Sequence, residues 1–225
     1  MEKPQNKYRF ERKYIIQAEH LDVFLFELLN HGYSEIFEQR QINNIYLDDY
    51  DCTNVWDNIE GISNRTKPRI RWYGEQFADS KKTVEFKIKS NDVNRKEAIH
   101  LDGSQLKSFG DIDAYWDNIQ TKMITNKEAK FYTEKLFTLR PTLLNSYSRN
   151  YFINADESIR ITIDQNLFYY SPLTYTEDTD TSIIIEIKYN SEYIPSNNLF
   201  GNLALTKHSK YIKGMLMTST FKAIY

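Results

Sequence analysis

Arg69 and Arg71 stand two apart in the stretch Thr66 to Gly74, TKPRIRWYG, with Ile70 between them and Trp72 and Tyr73 following. In a strand, residues two apart share a face. Two guanidiniums then lie side by side on one face, and Ile70 and Trp72 pack against helices on the other. A guanidinium presents its donors as a planar fork that matches phosphate or carboxylate oxygens in pairs. The spacing therefore points to phosphate binding.

The same alternation recurs along the chain. Arg9, Glu11 and Lys13 alternate with Phe10 and Arg12, and Glu85, Lys87 and Lys89 with Val84, Phe86 and Ile88. Arg160, Thr162 and Asp164 alternate with Ile159, Ile161 and Ile163, and Glu186 and Lys188 with Ile185, Ile187 and Tyr189. Arg149 is in phase with Tyr147 and Tyr151. An antiparallel sheet with one wet face gives this pattern by itself, and for any single strand that is the ordinary explanation. The charge types argue for more, because Arg-x-Arg and Glu-x-Lys recur where lone lysines would serve a solvated face. Several such faces converging in a closed barrel make a polar interior lined with cations and a few carboxylates. That interior suits a polyanion with a metal ion.

A row of phosphates needs about one cation per charge to offset desolvation. The candidates are Lys13, Arg69, Arg71, Lys87, Lys89, Arg149, Arg160, Lys188 and Lys210. Glu11, Glu85 and Glu186 share these faces and are candidate ligands of Mg or Mn, which favour carboxylate and phosphate oxygens. For Glu85 a buried ion pair with its in-phase lysine is the competing reading.

The elements that must position these residues follow from periodicity. Strands are expected at Tyr8 to Ile16, Gln41 to Asp48, Thr66 to Gly74, Lys82 to Lys89, Val93 to Leu101, Arg140 to Ile153, Ser158 to Asp164 and Thr181 to Tyr189. Gln17 to His31 and Asp113 to Phe137 read as amphipathic helices, the second broken near Thr125 and Asn126. Tyr50 to Asn58 reads as a short helix, and Asp102 to Phe109 as a capped helical turn. Asn166 to Asp180 is a loop or short hairpin. Ser196 to Leu205 and Ser209 to Ser219 are helical candidates.

The 225 residues carry a formal net charge of −2, so no global basic field draws nucleic acid or an anionic membrane, and any anion site is local. Seventeen Tyr and 13 Phe with only 7 Gly and 5 Pro indicate an ordered, strand-rich chain. The lone Cys52 cannot form an internal disulfide, has no activating base beside it in YLDDYDC, and reads as a buried or incidental thiol. Four scattered histidines lack metal-ligand spacing, and there is neither a Gly-rich phosphate loop nor a membrane-length apolar run. The reading is one domain over 1–225, soluble and cytoplasmic, of α+β class.

RFERKYII, NNIYLDD, KPRIRWYG, TVEFKIK, YSRNYF, RITID, IIEIKY and HSKYIKGM occur in an order that resembles the VTC domain. This domain belongs to the triphosphate tunnel metalloenzymes, which include the CYTH proteins. The resemblance runs from about Tyr8 to about Met217. It implies an eight-stranded antiparallel tunnel-shaped β-barrel with flanking helices, and a polyphosphate polymerase that moves the γ-phosphate of ATP onto a growing chain. By motif, catalysis falls to Lys13, Arg69, Arg71, Lys87, Arg149, Arg160 and Glu186. By motif, phosphate binding also takes in Lys96, Ser209 and Lys210, and the metal falls to Glu186; Lys89 and Lys188 as further phosphate ligands, and Glu11 as a second metal ligand, come from the strand alternation. The implied partners are ATP, polyphosphate and Mn or Mg, with room for a membrane-protein partner. CYTH relatives begin Glu-x-Glu-x-Lys, whereas this chain has Arg9 first. The lost carboxylate weakens a second metal site and disfavours a two-metal hydrolase. The alternatives are a tripolyphosphatase or nucleoside triphosphatase, and a non-catalytic polyphosphate or inositol-polyphosphate binding module.

Overall fold

The computed structural model describes residues 9–90, 93–126, 136–190, 200 and 203–218. Nine strands and four helices are found among them. In chain order they are β1 (Arg9–Ile16), α1 (Leu21–Asn30), β2 (Tyr33–Asp48), α2 (Thr53–Ile59), β3 (Asn64–Tyr73), β4 (Lys82–Ser90) and β5 (Val93–Leu101). There follow α3 (Ile112–Thr125), β6 (Arg140–Asn154), β7 (Ile159–Ser171), β8 (Thr176–Asp180), β9 (Ile183–Asn190) and α4 (Lys210–Thr218). The strands hydrogen-bond in the order β1-β9-β7-β6-β2-β3-β4-β5, with β8 paired to β7 off this path. The path thus has the eight strands expected, β8 is a ninth, and among the described residues the sheet ends at β1 and β5 rather than closing.

The chain divides into two compact units, and β2, β6, β7 and β8 contribute to both. The first comprises Met1–Arg40, Tyr147–Leu167 and Asp180–His208. Its core is set by alternation. Tyr14 and Ile16 of β1, Ile159, Ile161 and Ile163 of β7, and Ile183, Ile185, Ile187 and Tyr189 of β9 are buried with Phe24 and Leu28 of α1. Residues four apart on α1 share a stripe, so one helix face covers the isoleucine-rich side. The opposite side is left to the charges. Gly32 ends α1 at φ 79°, a conformation that costs a residue with a Cβ.

The second unit comprises Gln41–Ser146, Phe168–Thr179 and Ser209–Tyr225. Ile70 and Trp72 of β3, Val84 and Phe86 of β4, and Ile99 and Leu101 of β5 are buried with Trp116, Ile119 and Met123 of α3. The apolar faces therefore do pack against a helix, as the sequence implied. α4 enters the core through Gly214. A Cβ there would lie 2.5 Å from Leu143 Cδ2 and 2.5 Å from Tyr169 Cδ1, so only glycine allows this approach. Cys52 is buried, in line with an inert thiol.

Two local expectations change, and a third is narrowed to one of its two alternatives. β2 begins at Tyr33, eight residues before the alternation does, because Ser34 to Gln41 are all exposed and carry no one-sided pattern. β7 runs on to Ser171, and a short turn leads into β8, so the segment from Asn166 to Asp180 is a hairpin. Asp102 to Ser108 is not helical, and only a 3-10 turn at Phe109–Asp111 precedes α3. The helical candidate Ser196 to Leu205 lies mostly outside the described residues.

Candidate functional site

The candidate residues fall into two sets, one in each unit. In the second unit the register across β3, β4 and β5 brings like positions into rows. Arg65 lies opposite Lys89, which lies opposite Asn94; Lys67 opposite Lys87, then Lys96; Arg69 opposite Glu85, then Ala98; Arg71 opposite Thr83, then His100. Directly opposed residues share a face, so this face carries Arg65, Lys67, Arg69, Arg71, Lys87, Lys89 and Lys96. Glu85 is its one carboxylate among the described residues.

Glu85 is 3% exposed. Arg69 donates to it through Nε at 2.8 Å and Nη2 at 2.6 Å, Lys96 Nζ lies at 2.5 Å, and Arg71 Nε at 3.9 Å. Arg71 Nε also donates to Asn44 Oδ1 at 2.8 Å, which fixes the guanidinium plane. Glu85 therefore takes the ion-pair reading, with its partners on neighbouring strands. Burial alone would raise its pKa, but Arg69, Arg71 and Lys96 outweigh burial and hold it at about 2. The folded value lies below the ordinary 4.5, so the stabilisation is full above that value and fades as pH falls toward 2. Acid unfolding should accordingly show a loss of stability between about pH 4.5 and 2 that Glu85→Gln largely removes, measured by chemical denaturation across pH. An unchanged pH dependence in the variant would contradict the pairing.

Ser209 and Lys210 open α4. Ser209 Oγ accepts from Lys67 Nζ at 3.3 Å and from Asn58 Nδ2 at 3.4 Å. The next turn is anchored by Tyr211, whose hydroxyl donates to Asp48 Oδ2 at 2.8 Å and lies 2.8 Å from Thr142 Oγ1. Asp48 also accepts from the backbone N–H groups of Asp49, Asn54 and Val55 and from Asn54 Nδ2, so it caps α2 while it holds α4. Burial raises the Asp48 pKa despite these bonds. Sequence reasoning gave Asp48, Tyr211, Lys67 and Asn58 no role. Lys67 alone had a legible signal, being in phase with Arg69 and Arg71.

The first unit holds Glu11, Lys13, Arg149, Arg160, Glu186 and Lys188. Across β1, β9 and β7, Glu11 lies opposite Lys188, then Arg160, and Lys13 lies opposite Glu186, then Thr162. Lys13 Nζ is 3.1 Å from Glu11 and 3.5 Å from Glu186, and Lys188 Nζ is 2.5 Å from Glu186. Glu186 is 8% exposed. Burial opposes its charge, yet Lys13, Lys188 and Arg149 hold the carboxyl well below the usual range. Arg149 makes a fork-to-fork pair with the buried Asp164, Nε to Oδ1 at 2.5 Å and Nη2 to Oδ2 at 2.7 Å. Its guanidinium lies over the Tyr147 and Tyr151 rings, so Asp164 and two aromatics fix its orientation. Arg160 is exposed.

The chain belongs to the VTC-domain family, whose model matches residues 8–219. In three dimensions it is similar to an adenylate cyclase candidate from Vibrio parahaemolyticus, at 14% identity and a TM-score of 0.51 over 93% of this chain and 99% of that one. It is also similar to an adenylate cyclase candidate from Bacillus halodurans, at 16% identity and a TM-score of 0.48 over 83% of this chain and 82% of the other. An adenylyl cyclase candidate from Hippeastrum, described as having a dominant triphosphatase activity, matches at 13% identity and a TM-score of 0.44 over 92% and 83%. The Vibrio likeness is one of fold. No curated protein matches the chain. No described helix is long and apolar enough to cross a membrane.

The sequence resemblance to the tunnel metalloenzymes implies a divalent metal. Among the described residues no three His, Cys, Asp or Glu side chains gather as a ready metal site. Glu11 and Glu186 nonetheless converge on one ammonium, and beside them in the row the buried Thr162 Oγ1 has no hydrogen-bond partner. Two carboxylates and an orphaned hydroxyl are an all-oxygen set. It fits a hard ion that takes its remaining ligands from phosphate and water.

Proposed function

We propose that this protein is a metal-dependent polyphosphate polymerase, with residues 1–225 acting as a single VTC-like domain. In the reaction, a terminal phosphate oxygen of the acceptor chain attacks the γ-phosphorus of ATP in line. The new P–O bond lengthens the chain by one phosphate, the γ-P–O bond to the β-phosphate breaks, and ADP leaves. The observation that carries this reading is the β3–β5 face, where two oriented guanidiniums and a set of lysines offer several times more cationic than anionic charge. Such a face recognises a chain of phosphates. The alternation of Lys13, Glu186, Lys188 and Arg160 in the other unit supports phosphate positioning there as well.

Arg69, Arg71, Lys87, Lys89, Lys96, Arg149, Arg160, Lys188 and Lys210 bind phosphate oxygens, and Ser209 donates to one. Lys13, which pairs with Glu11 and Glu186, would turn to phosphate once those carboxylates held the ion. Glu186 and Glu11 would hold Mn or Mg, which neutralises charge developing on the transferred phosphoryl group. No protein nucleophile is required, because the acceptor is already an oxyanion.

Arg69→Lys and Arg71→Lys test the reading. Lysine keeps the charge near Glu85 and Asn44 but loses the fork. Each substitution should weaken tripolyphosphate binding about tenfold, roughly the value of one charge-assisted hydrogen bond, with the melting temperature little changed. Calorimetric titration gives the affinity. Unaltered affinity in both variants would remove the support that the two arginines provide.

A further inference from the structure

We propose that Asn145 is a positioning residue for phosphate binding, which acts through Asn44 to hold the Arg71 guanidinium in the plane that meets phosphate oxygens. The proposal rests on the polyphosphate reading. Its own basis is a buried hydrogen-bond chain with a fixed direction. Arg71 Nε donates to Asn44 Oδ1 at 2.8 Å, and Asn44 Nδ2 donates to Asn145 Oδ1 at 2.8 Å. The three residues lie on the neighbouring strands β3, β2 and β6, all within the second unit. A guanidinium has donors and no acceptor, so Arg71 decides which way both amides point. Asn44 must turn its carbonyl to Arg71 and its amino group to Asn145. Asn145 must answer with its carbonyl, and its own Nδ2 is then left buried with no hydrogen-bond partner.

Both asparagines are fully buried, and an unpaired buried donor is a cost to the fold. An apolar side chain at position 145 would remove that orphan and strand Asn44 Nδ2 in its place. The count of unpaired donors would stay at one, so stability alone does not select an amide there. What Asn145 supplies is direction. Its carbonyl holds the Asn44 amide with the oxygen toward Arg71. Without it the amide could turn over and set its own amino group against the guanidinium, donor against donor. Asn44 is also a neutral acceptor. It orients the Arg71 fork without cancelling its charge, whereas the Glu85 carboxylate forms an ion pair with Arg69. A fork held in one plane loses less freedom when it meets a phosphate.

The test is a double-mutant cycle on the full chain, with inorganic tripolyphosphate as probe. Leucine has the same number and branching of side-chain heavy atoms as asparagine. Asn145→Leu exchanges one stranded donor for another, so the ligand-free melting temperature should stay about equal. It should weaken binding about fivefold in the parent, about the value of one hydrogen bond. In the Arg71→Lys background there is no fork to orient, and the same substitution should weaken binding by less than about 1.5-fold. Asn145→Ala should repeat this pattern of affinities at a lower melting temperature, because it leaves a cavity. If the parent binds tripolyphosphate and Asn145→Leu binds equally well, the proposal is overturned while the polyphosphate reading stands. An equal loss in both backgrounds, or failure of both position-145 variants to fold, assigns Asn145 to structure and likewise overturns it. If the parent itself fails to bind, the functional reading fails and this proposal with it.

Discussion

Glu186→Gln should lose turnover by at least about a hundredfold, roughly 2.7 kcal/mol of transition-state stabilisation, while keeping or improving its affinity for phosphate chains. The substitution is nearly isosteric and removes one negative charge. Glu186 lies on β9 between Lys13 on β1 and Thr162 on β7, with Lys188 on its other oxygen. In the ligand-free protein it neutralises these ammonium groups and, at longer range, the Arg149 guanidinium. An amide cannot do so, and the released cations become more attractive to phosphate. An amide is also a poor ligand for a hard divalent ion compared with a carboxylate. Binding and turnover therefore move in opposite directions. Stability should fall by about 1–3 kcal/mol, less than for a fully enclosed pair, because Lys188 is about half exposed and can turn to water. Steady-state kinetics with calorimetry on the same preparation gives both numbers. Turnover within about threefold of the parent would show that the Glu186 carboxylate takes no part in the chemistry.

The second large effect concerns the fold. Asp48→Ala should cost on the order of 4 kcal/mol in denaturant unfolding, a large part of the stability of a domain this size. Asp48 is fully buried and receives the Tyr211 hydroxyl, Asn54 Nδ2 and three backbone N–H groups. Hydrogen bonds to a charged acceptor contribute about 1.5–3 kcal/mol each, and removing the acceptor leaves its donors buried without a partner. Burying the carboxylate is itself unfavourable, as its raised pKa records, which offsets part of that sum. Asp48→Asn keeps one acceptor oxygen and should cost about half as much. Phosphate binding should weaken too, since Tyr211 follows Ser209 and Lys210 directly at the start of α4. A cost below about 1 kcal/mol would mean that water replaces the carboxylate without loss.

The faces of β1, β3, β4, β7 and β9 were legible because apolar residues concentrate on one side of each and charged or polar residues on the other, so a period of two appears in the residue types. Arg69, Arg71, Lys87, Glu186 and Lys13 could be placed on polar faces from that period alone. Strands without a one-sided burial were not legible in full. β2 from Ser34 to Gln41 is exposed throughout, and β7 near Tyr169, Tyr170 and Ser171 is buried on both faces. Neither leaves an alternation to read. Register was also hidden, because no local signal says which residue of β4 meets Lys67. The row Lys67, Lys87, Lys96 and the fate of Glu85 depend on that register. Asp48 and Tyr211 are 163 residues apart in sequence, and their bond follows from tertiary packing that local patterns do not encode. Asp164 was in phase with Arg160 and Thr162, yet its partner Arg149 lies on the neighbouring strand β6.

The most direct test of the polymerase reading is the identity of the phosphorus products. The purified protein is incubated with ATP and Mn or Mg, and the products are followed by phosphorus NMR. Long-chain polyphosphate accumulating with an equal number of ADP molecules per phosphate added is the result expected. Orthophosphate as the sole phosphate product, or no consumption of ATP alongside tight polyphosphate binding, would contradict it and assign the cationic faces to hydrolysis or to binding alone.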